Sequence, residues 1–357
     1  MIVLNIVDNI EMVNYGIWQA AISTSPNLID KGFESWLLFP DSPSVPEISS
    51  VNLVPLLDLS VSSITEIINK YNFDPLNTIV VTHGCWSYAT RWGSEFKKLG
   101  FSWVYIPHGM LEPWSLSQKK IKKWLYFNFI EYPKSKSANY VRAVSKPEFK
   151  RLKEKYNNVI WIPNGVPAKK AKVKIQNDKI IFLFMARVNK KKGILPLVEA
   201  WINMDFDPKK MELWVAGPDD GELKSFLNLI KGYDSIKYKG AVYGEEKQNL
   251  LDLANFYLLP SFSEGFPTSV VEAMSNGLIP LISEGCNFPE VFSEKLGFRI
   301  EPNSSSIIKG LTWACELSEE LKNTLSFNNS DFILNNYSLD AIAEMQVKYY
   351  KHMLSAI

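Results

Sequence analysis

Two glutamates eight positions apart, Glu264 and Glu272, enclose Gly265, Phe266, Pro267, Thr268 and Ser269. The apolar run 255–259 before them reads as a short buried strand, and Thr268 or Ser269 can cap a helix through 270–275. Glu264 then stands at the strand end and Glu272 inside the helix. The amides of Gly265, Phe266, Thr268 and Ser269 lie where a helix N-terminus turns its N–H groups and dipole on an anion. Carboxylates accept hydroxyl protons, and the cradle accepts phosphate. A ligand offering both is a nucleotide sugar. A second charged group follows the apolar run 180–185: Arg187 and Lys192, with Gly193 after them. Arginine offers a bidentate fork and lysine a mobile point charge, a pair suited to a diphosphate leaving group. Simpler readings stand beside these: a solvated basic turn bent at Gly193, and a Glu272 that complements the helix dipole.

The Glu-x7-Glu spacing occurs by chance in many chains; its surroundings do not. Gly-Phe-Pro-Thr-Ser between the glutamates, Glu272-Ala-Met274 after them and Asn276-Gly-Leu-Ile-Pro-Leu-Ile282 beyond resemble the retaining glycosyltransferases of family 4. That resemblance implies the GT-B architecture, two Rossmann-like domains whose parallel sheets face an interdomain cleft. It implies transfer of a hexosyl group from a nucleoside diphosphate sugar to a hydroxyl, with the leaving phosphate accepting the proton. No cofactor and no metal are then expected. By the same resemblance Arg187 and Lys192 meet the donor diphosphate, Glu264 the sugar hydroxyls and Glu272 the ribose, while residues 265–269 hold the diphosphate. In the first half, Pro107-His108-Gly109-Met110-Leu111 is similar to a family segment near donor sugar and acceptor, which makes His108 catalytic. A locally bonded loop histidine is its alternative. His83 has similar precedent or a structural role. Gly16, after Asn14 and Tyr15, matches a phosphate-side glycine loop, where the family usually has paired glycines; a plain turn would serve as well. Pro163-Asn-Gly-Val166 resembles the turn between domains, and Gly217-Pro-Asp-Asp-Gly221 a turn near the nucleotide.

Elements that position these groups alternate between strand and helix. Residues 1–7 read as a strand, a polar loop runs through Gly16, and a helix follows over 17–25. Further strands are expected at 34–39, 78–82, 103–107, 140–144 and 159–162, and a basic helix at 119–129. Residues 166–178, with little apolar periodicity, read as a linker. A second series continues with strands at 180–185 and 212–215 and helices at 195–201 and 223–230. Two parallel-sheet domains result, 1–165 and 166–340, with ligands expected beyond the carboxyl ends of strands. The resemblance adds that the terminal helix, 341–357, returns to the first domain.

At 357 residues the chain exceeds one comfortable core. A net charge of +1 argues against nucleic acid as a partner. Residues 97–155 nevertheless carry fourteen Lys and Arg against four Asp and Glu. The segment 119–136 can therefore meet an anionic membrane or acceptor, such as a glycan or lipid-linked sugar, or remain a solvated basic face. With no long apolar run and no leader before Asp8, a cytoplasmic protein, peripheral at the inner membrane face, is expected. Three scattered cysteines and three histidines fit neither a disulfide framework nor a thiolate or histidine metal site. Asp205-Phe-Asp207 is a DxD, the metal ligand of the other glycosyltransferase architecture, but it reads as a connecting loop. Bacterial surface polysaccharide assembly is the expected setting. A sugar-nucleotide 2-epimerase and a non-catalytic sugar-nucleotide-binding protein are the alternatives.

Overall fold

The computed structural model describes residues 1–11, 15–43, 45, 48–168 and 178–355. Asn14 and most of the linker expected at 166–178 lie outside the described residues. The chain forms two compact units, Met1–Gly165 with Leu339–Ile357, and Val166–Ser338.

Among its described residues the first unit holds seven strands: β1 Ile2–Ile6, β2 Glu34–Pro40, β3 Asn52–Leu56, β4 Thr78–His83, β5 Ser102–Ile106, β6 Tyr140–Ala143 and β7 Val159–Trp161. All pair in parallel, in the order β3-β2-β1-β4-β5-β6-β7. The second unit holds β8 Ile180–Met185, β9 Met211–Ala216, β10 Ile236–Gly240, β11 Phe256–Leu259, β12 Ile279–Ile282 and β13 Phe298–Arg299. These too are parallel, in the order β10-β9-β8-β11-β12-β13. Helices cover both sheets, so the central strands are buried on both faces. All six residues of β4 and five of six in β8 are buried. In each sheet the strand order reverses once, between β1 and β4 and between β8 and β11. Such switch points open a crevice beyond the carboxyl ends of the strands.

Several elements differ from the sequence expectation. Edge strand β3 contains Pro55, which an edge tolerates because one side of its backbone needs no partner. The first helix spans Tyr15–Ile22, so Gly16 sits in its first turn rather than in a loop. The helix after Glu264 spans Thr268–Ser275 with Pro267 at its N-cap, and neither Thr268 nor Ser269 caps it. Thr268 N–H instead closes on Phe266 O at 3.0 Å, which starts the helix earlier. The basic helix is Lys120–Tyr126, continued by a wide π-helical turn at Phe127–Glu131. Asp205 ends the helix Ile194–Met204 in a left-handed conformation, and Asp207 accepts from Lys209 N–H at 2.9 Å. The DxD is thus a turn at the amino end of β9, the wrong end of the sheet for a ligand site.

The terminal helix Leu339–Ser355 belongs to the first unit. Its Ile342 packs with Ile160 and Ile162, Tyr350 meets Phe33, and Lys31 pairs with Asp340 at 3.2 Å.

Candidate active site

In the second unit, three ion pairs lie on the loops and helices that follow the strands, two of them involving the loop after β8. Asn189 caps the short turn Lys190–Lys192 by accepting from Lys192 N–H at 3.0 Å. Gly193 follows at φ 71°, where a Cβ would stand 2.1 Å from Pro260 O. Glycine there lets the loop after β8 lie directly against the loop after β11. Phe262 N–H donates to Lys191 O across the contact at 2.8 Å. Glu264 is fixed by its own backbone, donating to Gly285 O at 2.7 Å and accepting from Asn287 Nδ2 at 2.5 Å.

The result is a largely buried ion pair. Lys192 Nζ stands 2.7 Å from both Oε1 and Oε2 of Glu264, with the side chains 14% and 8% exposed. Arg187 pairs with Asp220 at 2.9 Å, and Asp220 also accepts from Asn189 Nδ2 at 2.6 Å. Both are nearly half exposed, so little free energy holds them together. Glu272 pairs with Lys247 at 3.0 Å. Each expected charged residue therefore has a counter-charge; Asp220 had been read only as part of a turn, and Lys247 not at all. The turn that carries Asp220 is seated by Gly217, where a Cβ would come within 1.9 Å of Ala186 O.

Beside Glu264 the backbone offers donors. Val270 and Val271 N–H bond Pro267 O. Among the described residues no hydrogen bond uses the N–H of Gly265, Phe266 or Ser269. Three such donors at a helix start suit an anion. The side chain of Phe266 packs on Tyr337 and so serves the core. Cys286, beneath Glu264, is pushed up to about 12 by burial and is a thiol at neutral pH.

In the first unit the corresponding ends of β1, β4 and β5 carry Asp8, His83 and His108. Asn5 Nδ2 donates to Trp36 O at 3.3 Å, which turns its Oδ1 toward His83 Nε2 at 3.0 Å. That nitrogen must donate, so His83 Nδ1 is an acceptor and takes its proton from His108 Nε2 at 2.9 Å. His108 is left with a bare Nδ1. Burial, aided by the nearby Arg142, lowers His108 to about 3, and burial, then His108 and Arg142, hold His83 well below its ordinary range. Both rings are neutral at physiological pH. His108 itself is left-handed at φ 51°, and its loop is clamped by Glu148, which accepts from Gly109 N–H at 2.7 Å and Val144 N–H at 2.8 Å. Burial raises Glu148 to about 7. Asp8, bonded to Ser87, is likewise raised by burial to about 6.

Asp8, Asn5 and Glu148 were missed as site groups; a polar residue within or just past the first apolar run was the available signal for the first two. Gly16 lies apart from these bonds, exposed, with nothing within 4 Å of where a Cβ would be. Among the described residues no three His, Cys, Asp or Glu side chains converge as a cation site would require.

Known proteins resemble this chain in sequence and in fold. Residues 166–329 match the family described as glycosyl transferases group 1. The amylovoran biosynthesis glycosyltransferase AmsK of Erwinia amylovora is 27% identical over 153 residues, 40% of this chain and 38% of that protein. The chain thus aligns with less than two fifths of that relative's length. A glycosyltransferase structure from Rickettsia africae superposes with a TM-score of 0.78 at 20% identity, covering 99% of this chain and 98% of that one. HepE from Anabaena, solved with UDP and glucose, gives 0.73 at 14% identity with both chains fully covered. Such likenesses show the fold, which is GT-B. Arg187, Lys192, Glu264 and Glu272 all lie within the stretch 166–329 that matches the glycosyl transferases group 1.

Proposed function

We propose that this protein is a retaining, metal-independent glycosyltransferase of family 4 that moves a sugar from a nucleoside diphosphate donor to a hydroxyl acceptor in bacterial surface polysaccharide assembly. The observation that carries it is the Lys192–Glu264 pair, 2.7 Å apart, beside the amides of Gly265, Phe266 and Ser269, which bond no partner among the described residues. A diphosphate offers Lys192 a stronger anion and frees Glu264 to accept from sugar hydroxyls, while Arg187 leaves its exposed partner Asp220 for phosphate oxygens. Glu272 takes the ribose hydroxyls. Thr268, whose N–H is taken by Phe266 O, and Pro267 before it shape the turn that presents those amides and can add only the Thr268 hydroxyl, and Gly16 is assigned to the first unit's phosphate side.

The sugar C1–O bond to the diphosphate breaks as the acceptor oxygen bonds to C1 on the same face, and the acceptor proton passes to the departing phosphate. His108 fits this scheme as a hydrogen-bond acceptor through Nδ1. A ring lowered to about 3 is too weak a base to collect that proton at pH 7. The match of AmsK, an amylovoran biosynthesis glycosyltransferase by its description, supports the pathway. Contact with an anionic membrane through 119–136 follows from its lysines and exposed aromatics.

The test is release of nucleoside diphosphate and formation of an anomer of unchanged configuration. Arg187→Ala and Glu264→Ala should each lower transfer by 10²-fold or more, on the order of one lost charge contact in the transition state. Full activity in both, with a matched acceptor, would sink the site assignment. An altered C2 configuration in the released sugar would point to an epimerase.

A further inference from the structure

Next to the His108 loop the first unit has a cavity of about 400 Å³ whose apolar wall includes Leu111, Pro113, Leu116, Trp124 and Phe127. Leu111 and Pro113 stand three and five residues past His108. The charged side chains that line it, among the described residues, are Lys120, Lys123 and Lys155. Lys123 is held in place, its Nζ donating to Ser115 O at 2.6 Å, and Lys155 lies over the Phe127 ring at 5.4 Å. The helix Lys120–Tyr126 buries none of its residues. Ile121, Trp124 and the following Phe129 are 77%, 60% and 71% exposed. Apolar side chains displayed this widely, among lysines and without an acidic neighbour on the helix, describe an element at a lipid interface.

We propose that this cavity takes the hydrocarbon chain of a phosphate-bearing lipid, the carrier of the acceptor, with its phosphate among Lys120, Lys123 and Lys155. The assignment rests on the glycosyltransferase reading for the word acceptor. Its physical basis is separate. A dry cavity of about 150 Å³ holds one benzene, so about 400 Å³ has room for roughly fifteen carbons, as in a prenyl chain of three units.

Isothermal titration of the full chain with farnesyl phosphate, geranyl phosphate, farnesol and inorganic phosphate reads this directly. Affinity should fall about fourfold for each methylene removed, so that geranyl phosphate binds far more weakly than farnesyl phosphate. Farnesol should bind more weakly at low salt, and inorganic phosphate not measurably. Leu116→Trp, which fills the cavity, and Leu116→Gln, which makes its wall polar without bulk, should both lose farnesyl phosphate. Lys120→Glu should weaken farnesyl phosphate but not farnesol. Equal affinity for the two prenyl phosphates, or unchanged binding in both Leu116 variants, would overturn the assignment. So would binding to phosphatidylglycerol vesicles without uptake of farnesyl phosphate, since the surface would then dock on a bilayer and hold no chain. A thermal response to nucleoside diphosphates without farnesyl phosphate binding contradicts this inference alone. The reverse result contradicts the donor assignment alone.

Discussion

Lys192 and Glu264 are held face to face at 2.7 Å, largely out of solvent, so removing either leaves a buried charge without its partner. Such a loss costs about 3–5 kcal/mol in a fully buried pair, and Lys192→Met should approach the lower figure. Arg187→Ala should change stability by no more than about 0.5 kcal/mol, because its pair with Asp220 is exposed. Chemical denaturation of the two variants separates the roles; equal losses would mean that burial does not distinguish the pairs. The histidines give a pH prediction. Their folded pKa values lie below the ordinary 6.5, so the stability they contribute is present above that pH and is lost as pH falls toward about 3. Asp8 has the opposite sign. Raised to about 6, it contributes stability below its ordinary 3.8 that is lost as pH climbs through 6. Asp8→Asn should therefore raise the melting temperature more at pH 8 than at pH 5, relative to the parent. A uniform shift at both would contradict the burial argument. The pH-rate profile should show no limb from His108 between pH 5 and 8, and His83→Leu, which frees the His108 tautomer, should lower kcat with little effect on nucleotide affinity.

At the scale of elements, the loops after β8, β9 and β11 meet through positions where only glycine fits. Gly193→Ala puts a methyl onto Pro260 O at a left-handed φ and should destabilise the second unit by about 2 kcal/mol or more, measured by urea denaturation. Loss below about 0.5 kcal/mol would show that the two loops can separate freely. Strands such as β8 were legible in the sequence because apolar runs of strand length have few other uses. The edge strand β3 was hidden by Pro55, and the two-residue β13 was too short to carry a pattern. The start of the helix Thr268–Ser275 was misread because Ser and Thr advertise caps, while Pro267 and the tight turn at Phe266 decide where the helix begins. Arg187, Lys192, Glu264 and Glu272 could be picked from local spacing. Asp220 and Lys247 could not be picked as their partners, since they stand 33 and 25 residues away in the chain and only the fold brings them near.

On the scale of the whole molecule, two parallel sheets repeat one strand order, and each collects its polar groups where that order reverses. The second unit gathers charges that a diphosphate sugar would rearrange. The first gathers neutral histidines and buried carboxyls beside an apolar cavity rimmed with lysines. Thermal melting of the whole chain with UDP, GDP, ADP and CMP tests the central claim, that the Lys192–Glu264 site binds a nucleotide sugar through its nucleoside diphosphate. One nucleoside diphosphate at 100 times its dissociation constant should stabilise the protein by about 2.7 kcal/mol, and the shift should shrink in Arg187→Ala. No shift with any of the four at millimolar concentration, or an equal shift in Arg187→Ala and Lys192→Met, would contradict the account.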